Sequence, residues 1–141
     1  LNLIKNSKVN LALGENVYNE NLITNFLKNK YLKFFQPDIT KYGGITLVNK
    51  YINSKYKNKI FLHFLGSGVG LITSAHMMSA INSNGLLETD FNENPLRDSI
   101  FNETIKITNG KIYLNNNPGI GFNLNKKIIK KYTINKFVYK I

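Results

Sequence analysis

The stretch IFLHFLGSGVG, residues 60–70, decides the fold of this 141-residue chain. An apolar run typical of a buried strand, Ile60–Leu65, passes into a loop with three glycines, and a helix is predicted over Gly70–Ile81. Asp90 follows the loop by twenty residues. This is the outline of a dinucleotide-binding fingerprint, but a histidine, His63, lies inside the strand.

The glycine spacing fits that fingerprint poorly. The fingerprint requires Gly-x-Gly-x-x-Gly, whose third glycine lets the helix pack closely on the strand. Counted from Gly66 the third position is Leu71, and counted from Gly68 it is Thr73. The fingerprint also belongs to the first strand of its domain, whereas two strand–helix units precede this loop. The glycines are therefore predicted to let the chain turn just past His63 and to leave room for a ligand.

Strand-like and helix-like segments alternate over the first 90 residues. Parallel strands need a crossover helix, so the alternation predicts a parallel sheet. The predicted strands cover 9–13, 33–38, 60–65 and 86–88, and the predicted helices cover 19–27, 45–56 and 70–81. A short helix at 95–101, a hairpin at 104–115 with Asn-Gly at its turn, and a basic helix or turn around 126–131 are predicted to follow.

Four polar side chains fall at or near the carboxyl ends of the successive predicted strands. They are Glu15, Asp38, His63 and Glu88. In parallel α/β architectures the chemistry lies at that edge of the sheet, so these residues are candidates for one site. The second histidine, His76, stands in the middle of a predicted helix and is expected to pack or to make a structural hydrogen bond.

These segments together resemble the C-terminal half of enzymes of the mandelate racemase/muconate lactonizing type in the enolase superfamily. The resemblance implies an α/β fold, the C-terminal part of a (β/α) TIM-type barrel. Residues 1–100 would hold strands five to eight with their helices, and residues 101–141 a hairpin and tail that return to the capping domain. The matching text is LALGENVYN (11–19), FFQPDITKYGGIT (34–46), IFLHFLGSGVGLITSAHMMSAI (60–81), LLETDFNENPLRD (86–98) and NGKIYLNNNPGIGFNLNKKIIKKY (109–132).

The resemblance also implies a role for each of the four polar residues. Glu15 would be a metal ligand, and a carboxylate oxygen suits Mg²⁺. His63 would exchange protons with the substrate, since histidine can act as acid or base near neutral pH, and Asp38 would orient its ring. Glu88 would hydrogen-bond the carboxylate of a small-molecule substrate.

The implied reaction removes the proton alpha to a carboxylate through a metal-stabilised enediolate. We expect a Mg²⁺-dependent lyase, an acid-sugar or hydroxy-acid dehydratase that forms a homo-oligomer at full length. A racemase, epimerase or cycloisomerase would use the same residues, and a non-catalytic half-barrel is the alternative of another class. The superfamily's second-strand lysines and remaining metal carboxylates have no counterpart in this sequence, so a truncated fragment with weak Mg²⁺ binding is expected.

The net charge of +11 allows a further alternative, a nucleic-acid-binding surface. Nearly all of the positive charge is lysine, whereas arginine dominates contacts with bases and phosphates, and Arg97 is the one arginine. We therefore expect neither a nucleic-acid nor a membrane partner. The absence of cysteine and of a recognisable signal peptide predicts a cytoplasmic protein.

Overall fold

The fold is that of a computed structural model, which describes residues 5, 8–52, 54–81 and 84–139, with residues 51 and 52 in backbone only. The first part alternates strands and helices: β1 (Leu11–Leu13), α1 (Glu20–Lys28), β2 (Leu32–Phe35), α2 (Gly44–Ile52), β3 (His63–Phe64), α3 (Gly68–Ile81) and β4 (Glu88–Thr89). The remainder holds α4 (Pro95–Asp98), the hairpin β5 (Ile107–Thr108) and β6 (Lys111–Ile112), and α5 (Lys126–Tyr132).

The strands lie side by side in chain order, and all four are parallel. β1 pairs with β2, and β3 pairs with β4. A parallel bridge between Phe35 and Ile60 joins the two pairs, and the His63 amide donates to the Pro37 carbonyl at 3.2 Å. A dinucleotide-binding sheet instead reverses its strand order at a switch point. The sequential order of this sheet is that of a barrel wall, so the predicted fold class is confirmed.

The helices begin and end where local side chains satisfy their free backbone groups. Asn19 caps α1, because its side-chain oxygen accepts from the amides of Asn21 and Leu22. At the other end of α1, the Lys59 ammonium donates to the carbonyls of Leu27 and Asn29. Burial lowers the pKa of Lys59, and nearby Lys33 lowers it further.

Helix α2 is shorter than the sequence predicts. It ends at Ile52 rather than at Tyr56, and a 3-10 turn follows at Lys57–Lys59. Ser54 accounts for part of the difference, because its hydroxyl accepts from the Tyr56 amide and its carbonyl from the Lys57 amide. Such local bonds compete with those of a helix.

The core lies between the sheet and the helices that cover one of its faces. Its fully buried side chains come from α1, β2 and the loop after it, α2, the segment leading into β3, and α3; they include Ile23, Leu27, Leu32, Phe35, Ile39, Val48, Ile60, Leu62 and Ile81. Because successive strand side chains alternate, Leu62 and Phe64 point to this side and His63 points to the other. The site therefore occupies the face opposite the helices.

The C-terminal region packs on α3 through a second apolar cluster. Ile72, Ile100 and Phe101 are its buried members, and Phe122 contacts Phe101 with ring centroids 5.1 Å apart.

The predicted Asn-Gly turn is confirmed, with φ of 51° at Asn109 and 70° at Gly110, as a two-residue hairpin needs. Within the residues described above, no helix is long and apolar enough to cross a membrane.

The glycines that follow β3 allow close packing, and their predicted part in leaving room for a ligand stays a prediction. A Cβ at Gly70 would collide with the Phe64 ring, and one at Gly66 would lie 2.9 Å from the tip of that ring. A Cβ at Gly68 would lie 2.8 Å from the Arg97 carbonyl oxygen. The loop therefore lets α3 and α4 approach the carboxyl end of β3 closely.

We expect Gly70→Ala to destabilise the protein. The added methyl group would collide directly with the Phe64 ring, so we expect a cost in the upper half of the usual overpacking range, about 2–3 kcal/mol. Alanine is the better helix former by about 1 kcal/mol, so a net loss of about 1–2 kcal/mol remains. Urea denaturation measures it. Val69→Ala, at a partly exposed neighbour, is the control, and Phe64→Leu should relieve the loss. An unchanged midpoint for Gly70→Ala would contradict the packing role.

Candidate functional site

Asp38 and His63 form a buried pair where β2 and β3 meet. Asp38 is 2 % exposed and His63 is 7 % exposed, and Asp38 Oδ2 lies 3.3 Å from His63 Nδ1. The other carboxylate oxygen, Oδ1, accepts from the amide and the hydroxyl of Thr40, at 2.8 and 2.6 Å. Thr40 thereby fixes the carboxylate, and the bond at Nδ1 leaves His63 Nε2 as the ring nitrogen available for chemistry.

Glu88 lies beside His63 on the next strand. The two residues are register partners in the parallel ladder between β3 and β4, so their side chains leave the same face of the sheet. Glu88 is exposed, and its Oε2 accepts from the Gln36 side-chain amide at 2.6 Å. The structure thus brings together Asp38 from the loop after β2, His63 from β3 and Glu88 from β4.

The same face is built in layers. Side chains two residues apart along an extended strand share a face, so Phe34, Gln36 and Asp38 form one row on β2 and the loop that follows it. Phe61 and His63 form the row on the neighbouring segment, and the rings of Phe34 and Phe61 are 4.3 Å apart. Aromatic side chains thus lie on this face nearer the amino ends of the strands, and the polar groups lie at the carboxyl ends.

Glu15 lies two residues beyond β1. Its carboxylate accepts from the Gly14 amide at 3.2 Å and from the Asn16 side-chain amide at 3.3 Å. Its pKa is lowered, chiefly by its own backbone amide. Burial opposes this shift, while the Gly14 amide and the charges of His63 and Lys41 reinforce it. Glu15 is therefore ionised at neutral pH and has the hard oxygen atoms that Mg²⁺ prefers.

A complete metal site is not formed by the part of the chain described here. Among the described residues, no group of three or more histidine, cysteine, aspartate or glutamate side chains is placed to hold an ion. Glu15 fits the chemistry of a single ligand, and the rest of a ligand set would have to come from elsewhere.

Two cavities lie away from these four residues. A cavity of about 680 Å³ opens between α2 and α3, and Thr40, Phe64 and Gly70 are among its lining residues. A cavity of about 610 Å³ lies between α3 and the β5–β6 hairpin. Neither is lined by Glu15, Asp38, His63 or Glu88.

The remaining polar residues noted in the sequence have structural contacts. The Nε2 atom of His76 lies 3.2 Å from the Ile120 carbonyl oxygen, which is the structural hydrogen bond predicted for it. Asp90 closes a turn by accepting from the Asn92 amide, and its carbonyl accepts from Arg97. The Arg97 guanidinium also pairs with Asp98 at 2.7 Å, so both contacts of the one arginine lie within residues 90–98.

No role was predicted for Gln36 or Thr40, although both lie within the matching segment 34–46. The two-residue spacing of Gln36 and Asp38 on a strand already places both on one face. The partner that Gln36 contacts is 52 positions away, and no sequence pattern marks it. Thr40 carries a local signal, because a hydroxyl two residues after an aspartate is well placed to bond its carboxylate.

Most of the chain matches one known protein family. Residues 1–128 match the family model described as enolase C-terminal domain-like. The chain belongs to this family. The predicted mandelate racemase/muconate lactonizing relationship is confirmed, and a part of a (β/α) barrel is the fold that it carries.

Relatives of the enolase C-terminal domain-like chain include sugar-acid enzymes. Over 132 residues it is 28 % identical to the arabinonate dehydratase of Saccharolobus solfataricus, covering 92 % of this chain and 35 % of that protein. A solved mandelate racemase/muconate lactonizing enzyme from Bordetella bronchiseptica RB50 is 29 % identical, with a TM-score of 0.80 over 92 % of this chain and 37 % of that one.

A third relative is a cycloisomerase. The solved 3,6-anhydro-D-galactonate cycloisomerase from Zobellia galactanivorans is 25 % identical, with a TM-score of 0.77, and the match covers 93 % of this chain and 38 % of that one. The chain therefore spans little more than a third of the length of these relatives.

Proposed function

We propose that this chain supplies part of the active site of an acid-sugar or hydroxy-acid dehydratase, a Mg²⁺-dependent lyase. The observation that carries the proposal is the buried Asp38–His63 pair, which stands between the loop after β2 and the start of β3, beside Glu88 on β4. The dehydratase among the relatives supports the choice of reaction. A cycloisomerase or racemase is the second candidate, because the cycloisomerase relative matches the same segment of this chain.

In the proposed reaction His63 moves the proton. Asp38 holds Nδ1, so Nε2 takes a proton from the substrate or delivers one to a leaving hydroxyl group. In a dehydration, the C–H bond breaks at the carbon alpha to the carboxylate, and the C–OH bond breaks at the beta carbon. The proton and the hydroxyl group leave together as water. The enol that forms then tautomerises to a 2-keto acid. Glu88 hydrogen-bonds the substrate and orients it.

The metal in this proposal is Mg²⁺, and Glu15 is one of its ligands. When bound, the ion supplies positive charge against the negative charge that develops on the substrate carboxylate. The bonds from Gly14 and Asn16 orient the Glu15 oxygens. We propose that the other ligands and an opposing base come from outside the described residues, from the remainder of a barrel.

The proposed division of the chain follows the same template. Residues 1–100 would form the partial barrel and residues 101–141 the hairpin and the tail that returns to a capping domain. Support comes from the tail, where Ile134, Phe137, Val138 and Tyr139 are between 74 and 93 % exposed and would be covered by such a domain. We also propose a homo-oligomer for the complete protein and the cytoplasm as its location.

The proposed function is tested by incubating the natural full-length polypeptide that carries these residues with Mg²⁺ and a panel of sugar acids in D₂O. A dehydratase yields a 2-keto acid, detected by its semicarbazone absorbance. A cycloisomerase yields a product of unchanged composition, and a racemase incorporates solvent deuterium at the alpha carbon. A panel without product, isomer or deuterium exchange would overturn the proposal of catalysis and favour the non-catalytic half-barrel.

The isolated 141-residue chain should bind Mg²⁺ weakly. A single carboxylate, Glu15, leaves most of the six coordination positions of the ion to water. Isothermal titration with MgCl₂ should give no saturable one-to-one isotherm below millimolar concentrations, and Glu15→Gln should change little further. A tight one-to-one isotherm that is lost in Glu15→Gln would show that this chain forms a complete metal site by itself.

A further inference from the structure

We propose that Gln36 is a positioning residue that holds Glu88 in the orientation needed for substrate recognition. The inference rests on the proposed function, because it concerns the same site. It adds a residue to which the sequence alone assigned no role.

The bond between Gln36 and Glu88 spans three strands. Gln36 directly follows β2 and Glu88 begins β4, so the two side chains meet across the strand that carries His63. The Gln36 Nε2 atom donates to Glu88 Oε2 at 2.6 Å. Gln36 and Asp38 lie two residues apart, so one short segment contacts both neighbouring polar residues: Asp38 holds His63, and Gln36 holds Glu88.

Packing does not hold the Glu88 side chain in one orientation, so a hydrogen-bond partner is required to do so. Its side chain is exposed, whereas Asp38 and His63 are buried. An unheld glutamate on a surface samples many rotamers, and ordering it costs about 1–2 kcal/mol in side-chain entropy. The half-buried Gln36 bonds one carboxylate oxygen, Oε2, and so orders the Glu88 side chain before the substrate binds. The other oxygen, Oε1, is left to face the substrate.

Glutamine suits this position better than a charged residue would. Its amide group does not titrate, and it carries no charge that would compete with a substrate carboxylate for Glu88. It also has both a donor and an acceptor, so it can bond either the ionised or the protonated form of a carboxyl group. A lysine here would be a fixed counter-ion instead.

The first test is spectroscopic and does not depend on activity. Gln36 is the one glutamine in the sequence, so selective ¹⁵N labelling of glutamine gives a single pair of side-chain amide signals. In the 141-residue chain we expect Glu88→Ala to move this pair and to speed its exchange with water. His76→Asn, on α3 beside the C-terminal segment, should leave it unchanged. A pair unaffected by Glu88→Ala would overturn the positioning contact.

The second test is a double-mutant cycle on the full-length polypeptide. Gln36→Met keeps the length of the side chain without its hydrogen bond and should lower kcat/KM about 5- to 30-fold, the fold-change that corresponds to the side-chain entropy of ordering Glu88. In a Glu88→Ala background the same change should cost less than about 3-fold, because Gln36 acts through Glu88. Lys33→Met, an exposed change on β2, is the matched control.

The outcomes separate this inference from the proposed function. If the wild-type polypeptide converts no sugar acid, the proposed function fails, and the amide signals still decide whether Gln36 holds Glu88. If the wild type is active and Gln36→Met matches it in kcat and KM, the positioning role alone is overturned. Equal losses from Gln36→Met with and without Glu88 would likewise overturn it, because Gln36 would then act independently.

Discussion

Replacing His63 by asparagine should lower the turnover of a sugar acid by about 100- to 10,000-fold, the usual contribution of a general acid or base. Asparagine can still donate a hydrogen bond to Asp38, but it cannot take up and release a proton near neutral pH. The loss should therefore appear mainly in kcat, while the affinity for the substrate changes little. Steady-state kinetics of the full-length polypeptide at saturating Mg²⁺ measures it.

The other histidine provides a matched control for this experiment. His76 also makes one hydrogen bond, to the Ile120 carbonyl, but it lies on α3 and contacts the C-terminal segment. His76→Asn should therefore leave kcat within about 2-fold, with at most a small loss of stability from its one hydrogen bond. Unchanged turnover in His63→Asn would refute the role given to the Asp38–His63 pair.

Replacing Phe35 by alanine should destabilise the chain by about 3–5 kcal/mol, the range for deleting a fully buried aromatic side chain. Phe35 is 1 % exposed, and its ring stacks on Phe26 of α1 with centroids 6.1 Å apart. A Cβ at Gly14 would lie 2.6 Å from the ring, so the loop after β1 also packs closely on it. Denaturation with urea, followed by circular dichroism, gives the change in the free energy of unfolding.

Phe91 is the control, because its side chain is fully exposed in the loop after β4. Phe91→Ala should change the free energy of unfolding by less than about 0.5 kcal/mol. A loss of less than about 1 kcal/mol for Phe35→Ala would mean that Phe35 is not in the centre of the core. The arrangement of β1, β2 and α1 described here would then be incorrect.

The helices were predictable from the sequence because their signals are local. Asn19 precedes the apolar positions of α1 as a cap, and the predicted end of α3 at Ile81 agrees with the structure. The strands were harder to bound. β3 is confined to His63–Phe64 and β4 to Glu88–Thr89, although longer apolar runs surround both. The length of a strand depends on how far its neighbours pair with it, and the apolar run alone does not contain that information.

The placement of the candidate residues at or near strand ends was predictable, and their contacts were only partly so. Glu15, Asp38, His63 and Glu88 could be selected because each follows or lies in an apolar run in a repeated α/β pattern. Which of them touch one another could not be predicted. Asp38 bonds His63, whereas Glu88 bonds Gln36, although Glu88 is the register partner of His63. Their roles in catalysis and metal binding remain proposals.

An α/β chain with parallel strands, and candidate polar residues at or near the strand ends, could be predicted without any structure. These properties follow from periodicity and from the order of residues along the chain. The tertiary structure alone decided that the glycines after His63 make room for Phe64 and Ile100, and that Gln36 reaches Glu88 across the intervening strand. Such contacts join residues far apart in sequence, and strand register and side-chain packing set them.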